Sequence, residues 1–229
     1  MTGIEETLAR RTKENEDMFF VKAVPVTQAG NYTVVRRRRL FGLTDSAGTE
    51  ILIPIYDSIK VLDDDMALVA VGTEGALFSL PSGKRLTEFR YSKARYENGL
   101  LVLFSSDGTR SYFNHDNGCS IGSGYDRVSS YTNALGFRWA MRGRCFDYVS
   151  DNGGRKVSLP TVTMAYDCDE GLFGLSGFGT VKCFSDDGTE DFMKLRRIVI
   201  ENGGHLSLQN KDLAIEHIID VYGNILNPQ

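Results

Sequence analysis

The chain has 229 residues, 41% of them hydrophobic, and a formal net charge of −4 with a pI near 5.5. That balance argues against bulk attraction to nucleic acid or an anionic membrane surface, so any basic site must be local. Glu5 and Glu6 stand where an export signal needs an apolar core, and no run approaches the ~18 consecutive apolar residues of a membrane span. A cytoplasmic protein is therefore expected, with Cys119, Cys145, Cys168 and Cys183 as free thiols in a reducing compartment.

In chain order, residues 1–18 come first as a polar, helical leader. Thr2 is placed to cap it, and Ile4 and Leu8 lie four apart on one face. Residues 19–229 read as a single β-repeat domain. Gly48, Gly83, Gly118, Gly153, Gly188 and Gly223 fall at one interval, since 83 − 48 = 35 and each later step is the same. Short polar residues such as Asp45, Asp116, Asn117, Asp151 and Asp186 precede these glycines, as tight turns require, because glycine accepts φ > 0. In rows of 35, Leu43, Phe78, Phe113, Tyr148, Cys183 and Ile218 form one column, which predicts a core-facing strand in every row. Leu68, Leu103, Arg138, Phe173 and Leu208 mark another, with Val34, Val69, Phe104 and Trp139 beside it. Arg138 breaks that column, and a small register shift would hand its place to Phe137 or Trp139.

Six periods of 35 span 210 residues and leave 19, close to the length of the leader. Residues 19–26 match the phase of 54–61, while residues 206–229 supply the beginning and middle of a unit. These ends predict an all-β, six-bladed β-propeller-like ring whose last blade is assembled from both termini, leaving few open strand edges. An open β-solenoid is the alternative, because 35 residues is lean beside the roughly 40–45 of familiar propeller repeats.

Residues 41–59, FGLTDSAGTEILIPIYDSI, carry Phe41, Gly42, Leu43, Asp45, Gly48, Ile53, Pro54, Tyr56 and Asp57 in an order that resembles the WG, or KWG, repeat of bacterial proteins. In later rows the likeness reduces to the turn glycine, an aromatic before it, and tyrosines such as Tyr91 or Tyr125 with Asp126. The resemblance implies a β-repeat scaffold for interactions, with no catalytic residues to carry over.

The run Arg36, Arg37, Arg38 and Arg39 occupies a turn column that in the fourth row holds Arg142 and Arg144, which predicts two basic turns on one rim. Guanidinium forks bind phosphates and carboxylates bidentately, so an anionic ligand or acidic partner suits these turns. No aromatics interleave the arginines as a nucleic-acid platform requires. Asp63, Asp64 and Asp65, and Asp167, Asp169 and Glu170, could build oxygen-rich loops. Neither run matches a calcium loop, and both read as turns. His115 reads as a turn residue, and His217 as a hydrogen-bonded strand residue on the face of Ile215 and Ile219. Trp139 and the tyrosines would suit a glycan binder, although their strand positions favour the core; Tyr91, Tyr96, Tyr125 and Tyr131 are the ones expected to face solvent. No catalytic residue, metal or cofactor is expected. The leading expectation is a non-enzymatic module binding a protein partner through its loops; a propeller binding a small ligand or glycan is second, and a hydrolase third.

Overall fold

The computed structural model describes residues 3–18, 21–114 and 118–227. Helix α1 runs over Gly3–Glu16, with Ile4 and Leu8 against a core cluster. Thr2, the first two residues of the 19–26 segment, His115, Asp116 and Asn117 lie outside the described residues.

Beyond α1 the structure is all-β apart from one further helix. The first group of strands is β1 (Val24–Ala29), β2 (Tyr32–Arg37), β3 (Leu40–Asp45) and β4 (Glu50–Tyr56), an antiparallel sheet in that order. The second is β5 (Ser58–Val61), β6 (Met66–Val71) and β7 (Glu74–Ser79), with Arg85 bridged to Phe78 where a fourth strand would lie. The third comprises β8 (Tyr91–Glu97), β9 (Leu100–Ser105), β10 (Arg110–Asn114) and β11 (Ser120–Ser123), and it continues the second without a break, because Gly75 of β7 pairs with Tyr91 of β8 and β5–β11 run as one seven-stranded sheet. The fourth comprises β12 (Arg127–Val128), β13 (Phe137–Arg142), β14 (Cys145–Ser150) and β15 (Lys156–Leu159). The fifth is β16 (Val162–Ala165), β17 (Leu172–Ser176) and β18 (Val181–Phe184), with Glu190 bridged to Phe184. In the last, α2 (Phe192–Glu201) precedes the hairpin of β19 (Leu206–Asn210) and β20 (Ile215–Ile219), and Ile225 bridges Ile219.

Contacts divide the chain into two compact units, each described by itself: Met1–Arg95 with Leu103–Gly108, and Tyr96–Val102 with Thr109–Gln229. The first holds a core of Val34, Leu43, Leu52, Val69, Phe78 and Leu80. In the second, Phe137, Trp139, Tyr148, Leu172 and Phe184 form one cluster, and Phe173, Cys183, Leu195, Ile198, Val199 and Leu208 another. Five members of the first apolar column are buried, and Tyr148 closes its own polar end by donating to the Tyr166 carbonyl at 2.5 Å and the Phe173 carbonyl at 2.9 Å. The sixth, Ile218, is exposed; Ile219 takes the inner place. Phe137 and Trp139 flank Arg138 in the core as the register shift predicts.

The evenly spaced glycines all have φ between +64° and +84°. Several also abut the strand group before their own. A Cβ at Gly83 would stand 2.7 Å from the Ile51 carbonyl oxygen and at Gly188 2.8 Å from that of Ser158, and at Gly153 and Gly223 it would collide with the carbonyl oxygens of Ser120 and Val181. Both the left-handed backbone and the close approach therefore require glycine there.

Three expectations need correction. Residues 192–201 were expected to be β, yet they form α2: Asp191 accepts the Lys194 N–H at 2.8 Å, and Leu195, Ile198 and Val199 fall on one buried face at helical spacing. The sheet shared by the two chain ends is not found either. Val24–Ala29 pairs with β2, from Val24 opposite Arg36 to Ala29 opposite Tyr32, and no closed sheet is found among the described residues. The phase match to 54–61 was to a segment that the fold splits, because β4 ends at Tyr56 and β5 opens at Ser58. Finally, of the four tyrosines expected to face solvent, Tyr91 and Tyr125 are buried, Tyr131 is half-buried and Tyr96 is exposed.

Candidate functional site

The arginine run does not form one loop. Arg36 and Arg37 end β2, and only Arg38 and Arg39 make the turn to β3. Arg38 has φ of 56°, whereas the first turn residue between β6 and β7 is Gly72, at 62°, and between β13 and β14 it is Gly143, at 59°. An L-residue there costs roughly 1–2 kcal/mol relative to its ordinary conformation. The first unit thus keeps an arginine where the other two hairpins relieve the strain with glycine.

Helix α1 packs on β4 and reaches this hairpin through Asn15. Arg37 donates to the Asn15 side-chain oxygen at 2.6 Å, and Asn15 is buried. Arg11 donates to both carboxylate oxygens of Asp57, at 3.0 and 3.2 Å, and to the Ile55 carbonyl at 2.9 Å. Asp57 also accepts the Gly72 N–H at 2.7 Å. Burial alone would raise its pKa, but the Gly72 N–H and the Arg11 guanidinium, with the charge of Arg39 behind them, hold the carboxyl below its usual range. Nearer the start of α1, Glu5 pairs with Arg85 at 2.6 Å.

These elements enclose a concavity of about 450 Å³, lined by Arg10, Arg11, Glu14, Asn15, Met18, Arg37, Arg38, Arg39, Leu40 and Pro54. Arg10 pairs with Glu14 at 2.9 Å and Arg11 with Asp57. Among the described residues no salt bridge within 4 Å engages Arg37, Arg38 or Arg39, and the Arg37 Nε is buried without a hydrogen-bond partner. Arg36 is exposed and does not line the concavity.

In the second unit, Arg142 ends β13 and Arg144 follows Gly143 in the turn. Arg142 is exposed but occupied: it donates to the Gly124 carbonyl at 2.9 Å and the Ser123 carbonyl at 3.1 Å, and lies 4.9 Å from the centre of the Tyr125 ring. Gly143 N–H donates to Asp126 at 2.6 Å, as Gly72 does to Asp57. The Tyr-Asp dipeptides 56–57 and 125–126 thus each supply a carboxylate that fastens the next hairpin. Arg138 ion-pairs with Asp151 and donates to the Ser130 carbonyl at 2.6 Å.

The remaining candidates are absorbed by the fold. Asp63 accepts the N–H groups of Asp65 and Met66; Asp167 accepts the Ser129 hydroxyl and the Lys211 N–H; Asp169 accepts the Tyr131 hydroxyl and the Ala134 N–H; Glu170 accepts the Cys168 thiol. No group of three or more His, Cys, Asp or Glu able to hold a metal occurs among the described residues. His217 is half-buried, 2.6 Å from the Tyr166 hydroxyl. Cys145, Cys168 and Cys183 form no disulfide, and burial raises the Cys183 thiol to about 11. Trp139 is in the core against Phe146. Sequence reasoning missed Arg10, Arg11 and Asn15 as the helix residues that line the concavity beside the arginine turn; the Arg11 to Asp57 pair spans 46 positions and leaves no local signal.

No protein-family model matches the chain, and no curated protein matches it. Among solved structures it is similar to the computationally designed Ika8 protein (12% identity, 73% of this chain and 60% of that one, TM-score 0.30) and to KlHsv2 with loop 6CD replaced by a Gly-Ser linker (16% identity, 70% and 62%, TM-score 0.31). It is also similar to BamB from Moraxella catarrhalis (14% identity, 88% and 71%, TM-score 0.31). The chain spans about three fifths of the length of the first two. At these TM-scores the likenesses add nothing to what the strand order and the turn geometry establish.

Proposed function

We propose that the chain is a non-enzymatic interaction module, a propeller-like array of six 35-residue units that meets a protein partner through its loops. The observation that carries this reading is the turn at Arg38 and Arg39, with Arg37 beside it: three guanidinium groups with no carboxylate in salt-bridge range, on a concave surface of an otherwise acidic chain. Guanidinium groups in that state favour an acidic surface over solvent by charge-assisted hydrogen bonds. Arg36, exposed at the end of β2, extends this contact set; in the second unit, taken by itself, Arg144 is the exposed candidate, while the donors of Arg142 are already engaged. The WG-type pattern supports the scaffold reading, since Asp45, Gly48 and Asp57 all serve turns: Asp45 accepts the Ala47 and Thr49 N–H groups, Gly48 is left-handed, and Asp57 holds Gly72. A cytoplasmic setting belongs to the same reading, since Cys145, Cys168 and Cys183 form no disulfide. A glycan reading draws less support, because Trp139, Tyr91 and Tyr125 are buried.

The test is affinity capture from a cell extract with the wild type and with Arg38→Glu/Arg39→Glu. The double variant should lose partners that the wild type retains. Retention of every partner would reject this surface as the contact.

A further inference from the structure

We infer that the concavity between α1 and the β2–β3 turn is a binding site for an organic phosphate monoester, borne by a small molecule or by a phosphorylated peptide side chain. Arg38 and Arg39 are its primary donors. The inference shares these arginines with the interaction reading but stands or falls on its own measurement.

Three observations converge. The first is backbone geometry: Arg38 sits in the left-handed region at 56°, where the equivalent hairpins use Gly72 and Gly143. A non-glycine residue is held in that region by its surroundings, and Arg38 shares it with Asn98, Thr161 and Ala214, so the strain counts here only together with the charge and the shape of the concavity. The second is charge. Five arginines line the concavity with one glutamate; Glu14 answers Arg10 and Asp57 answers Arg11, which leaves Arg37, Arg38 and Arg39 with no carboxylate in ion-pair range, Arg39 acting on Asp57 only from farther off. The Arg37 Nε is moreover buried without a partner. A phosphate monoester brings about −1.5 to −2 charges and three strong acceptor oxygens near neutral pH, whereas a carboxylate brings one charge and two oxygens, too little for three guanidinium groups. The third is shape. A space of about 450 Å³ falls in the ~300–1,000 Å³ range of small-molecule clefts. It exceeds what a bare phosphate ion fills, and Met18, Leu40 and Pro54 give it an apolar wall suited to the organic part of an ester. Pre-placed arginine forks on one side and apolar surface on the other match a ligand that is anionic at one end only.

The experiment is calorimetric titration and thermal shift on the full chain at low and at moderate salt. The probes are phenyl phosphate, inorganic phosphate, benzoate, and a phosphoserine heptapeptide with its unphosphorylated twin. Phenyl phosphate should bind at least tenfold tighter than benzoate and several-fold tighter than inorganic phosphate, raise the melting temperature by linkage, and weaken with salt. Arg38→Gly should weaken binding tenfold or more while raising the melting temperature of the free protein, a combination that misfolding cannot imitate. Glu14→Gln, which releases Arg10, should tighten binding about threefold. A phosphopeptide stronger than phenyl phosphate identifies a phosphoprotein segment as the source; equal strength identifies a small ester. Both outcomes support the site. Benzoate binding as well as phenyl phosphate, or Arg38→Gly binding as the wild type does, would overturn it. Loss of captured partners in Arg38→Glu/Arg39→Glu without any monoester binding would leave the interaction reading and remove this one; monoester binding with every partner retained would do the reverse.

Discussion

The hairpin of Arg38 and Arg39 and the hairpin of Gly143 and Arg144 share the same local plan and use their arginines oppositely. The Gly143 hairpin, like the Gly72 hairpin that follows the arginine turn, is fastened by the carboxylate of a preceding Tyr-Asp pair: Asp57 takes Gly72 N–H and Asp126 takes Gly143 N–H. Around Gly143 the arginines are struts. Arg142 spans two carbonyls and a tyrosine ring, and Arg138 locks Asp151 and the Ser129 and Ser130 carbonyls. Around Arg38 the turn is strained and its guanidinium groups lack carboxylate partners, although α1 lies alongside. An arginine-rich stretch is thus not a binding site by composition. What separates the two regions is whether backbone oxygens have already claimed the donors.

The largest effect that would sharpen this contrast is expected from Arg138→Ala. It strands Asp151 and two carbonyls beside a side chain only 10% exposed, and should cost about 3 kcal/mol in denaturant unfolding. Arg142→Ala should cost about 1.5 kcal/mol by the same assay, for two carbonyl bonds and a ring contact. Arg38→Gly should go the other way and stabilise by about 1 kcal/mol, since it relieves a left-handed L-residue. If that variant unfolds earlier than the wild type, Arg38 is itself a strut and the contrast fails. The smallest effect concerns Asp57. Its folded pKa lies below the unfolded value, so its stabilisation is present above the unfolded value and is lost as pH falls through the folded one. The side chain is partly exposed, so the difference is a few tenths of a kcal/mol. Wild-type stability should fall more steeply than that of Asp57→Asn as pH drops below about 5; parallel curves would show that the clamp with Arg11 and Gly72 contributes nothing.

Much of the strand architecture is legible before any coordinates, because turns and cores impose local demands. The left-handed glycines, the buried column from Leu43 to Cys183, and the displacement of Arg138 by its neighbours all follow from polarity and spacing. Helix α2 is not legible in this way: its stretch of Ile198, Val199 and Ile200 satisfies a strand pattern as well as a helical one, and the Asp191 cap decides between them. Ile218 fails for a related reason, since β20 is shifted by one residue and a period of two then turns the whole face over. The arginine turn was visible as charge but not as a concavity, because the helix that walls it is contributed from the far side of β1 in sequence, through pairs such as Arg37 with Asn15.

The contact between each turn glycine and the preceding carbonyl has one more consequence. From Gly153 on Ser120 to Gly188 on Ser158 to Gly223 on Val181, the pitch between successive sheets is gauged by a hydrogen atom against an oxygen, with no side chain interposed. Such a gauge cannot be widened by a methyl group without prising neighbours apart, yet it is indifferent to almost every other residue. Substitutions on exposed surfaces that leave these bare points of touch in place therefore leave the spacing of the sheets unchanged.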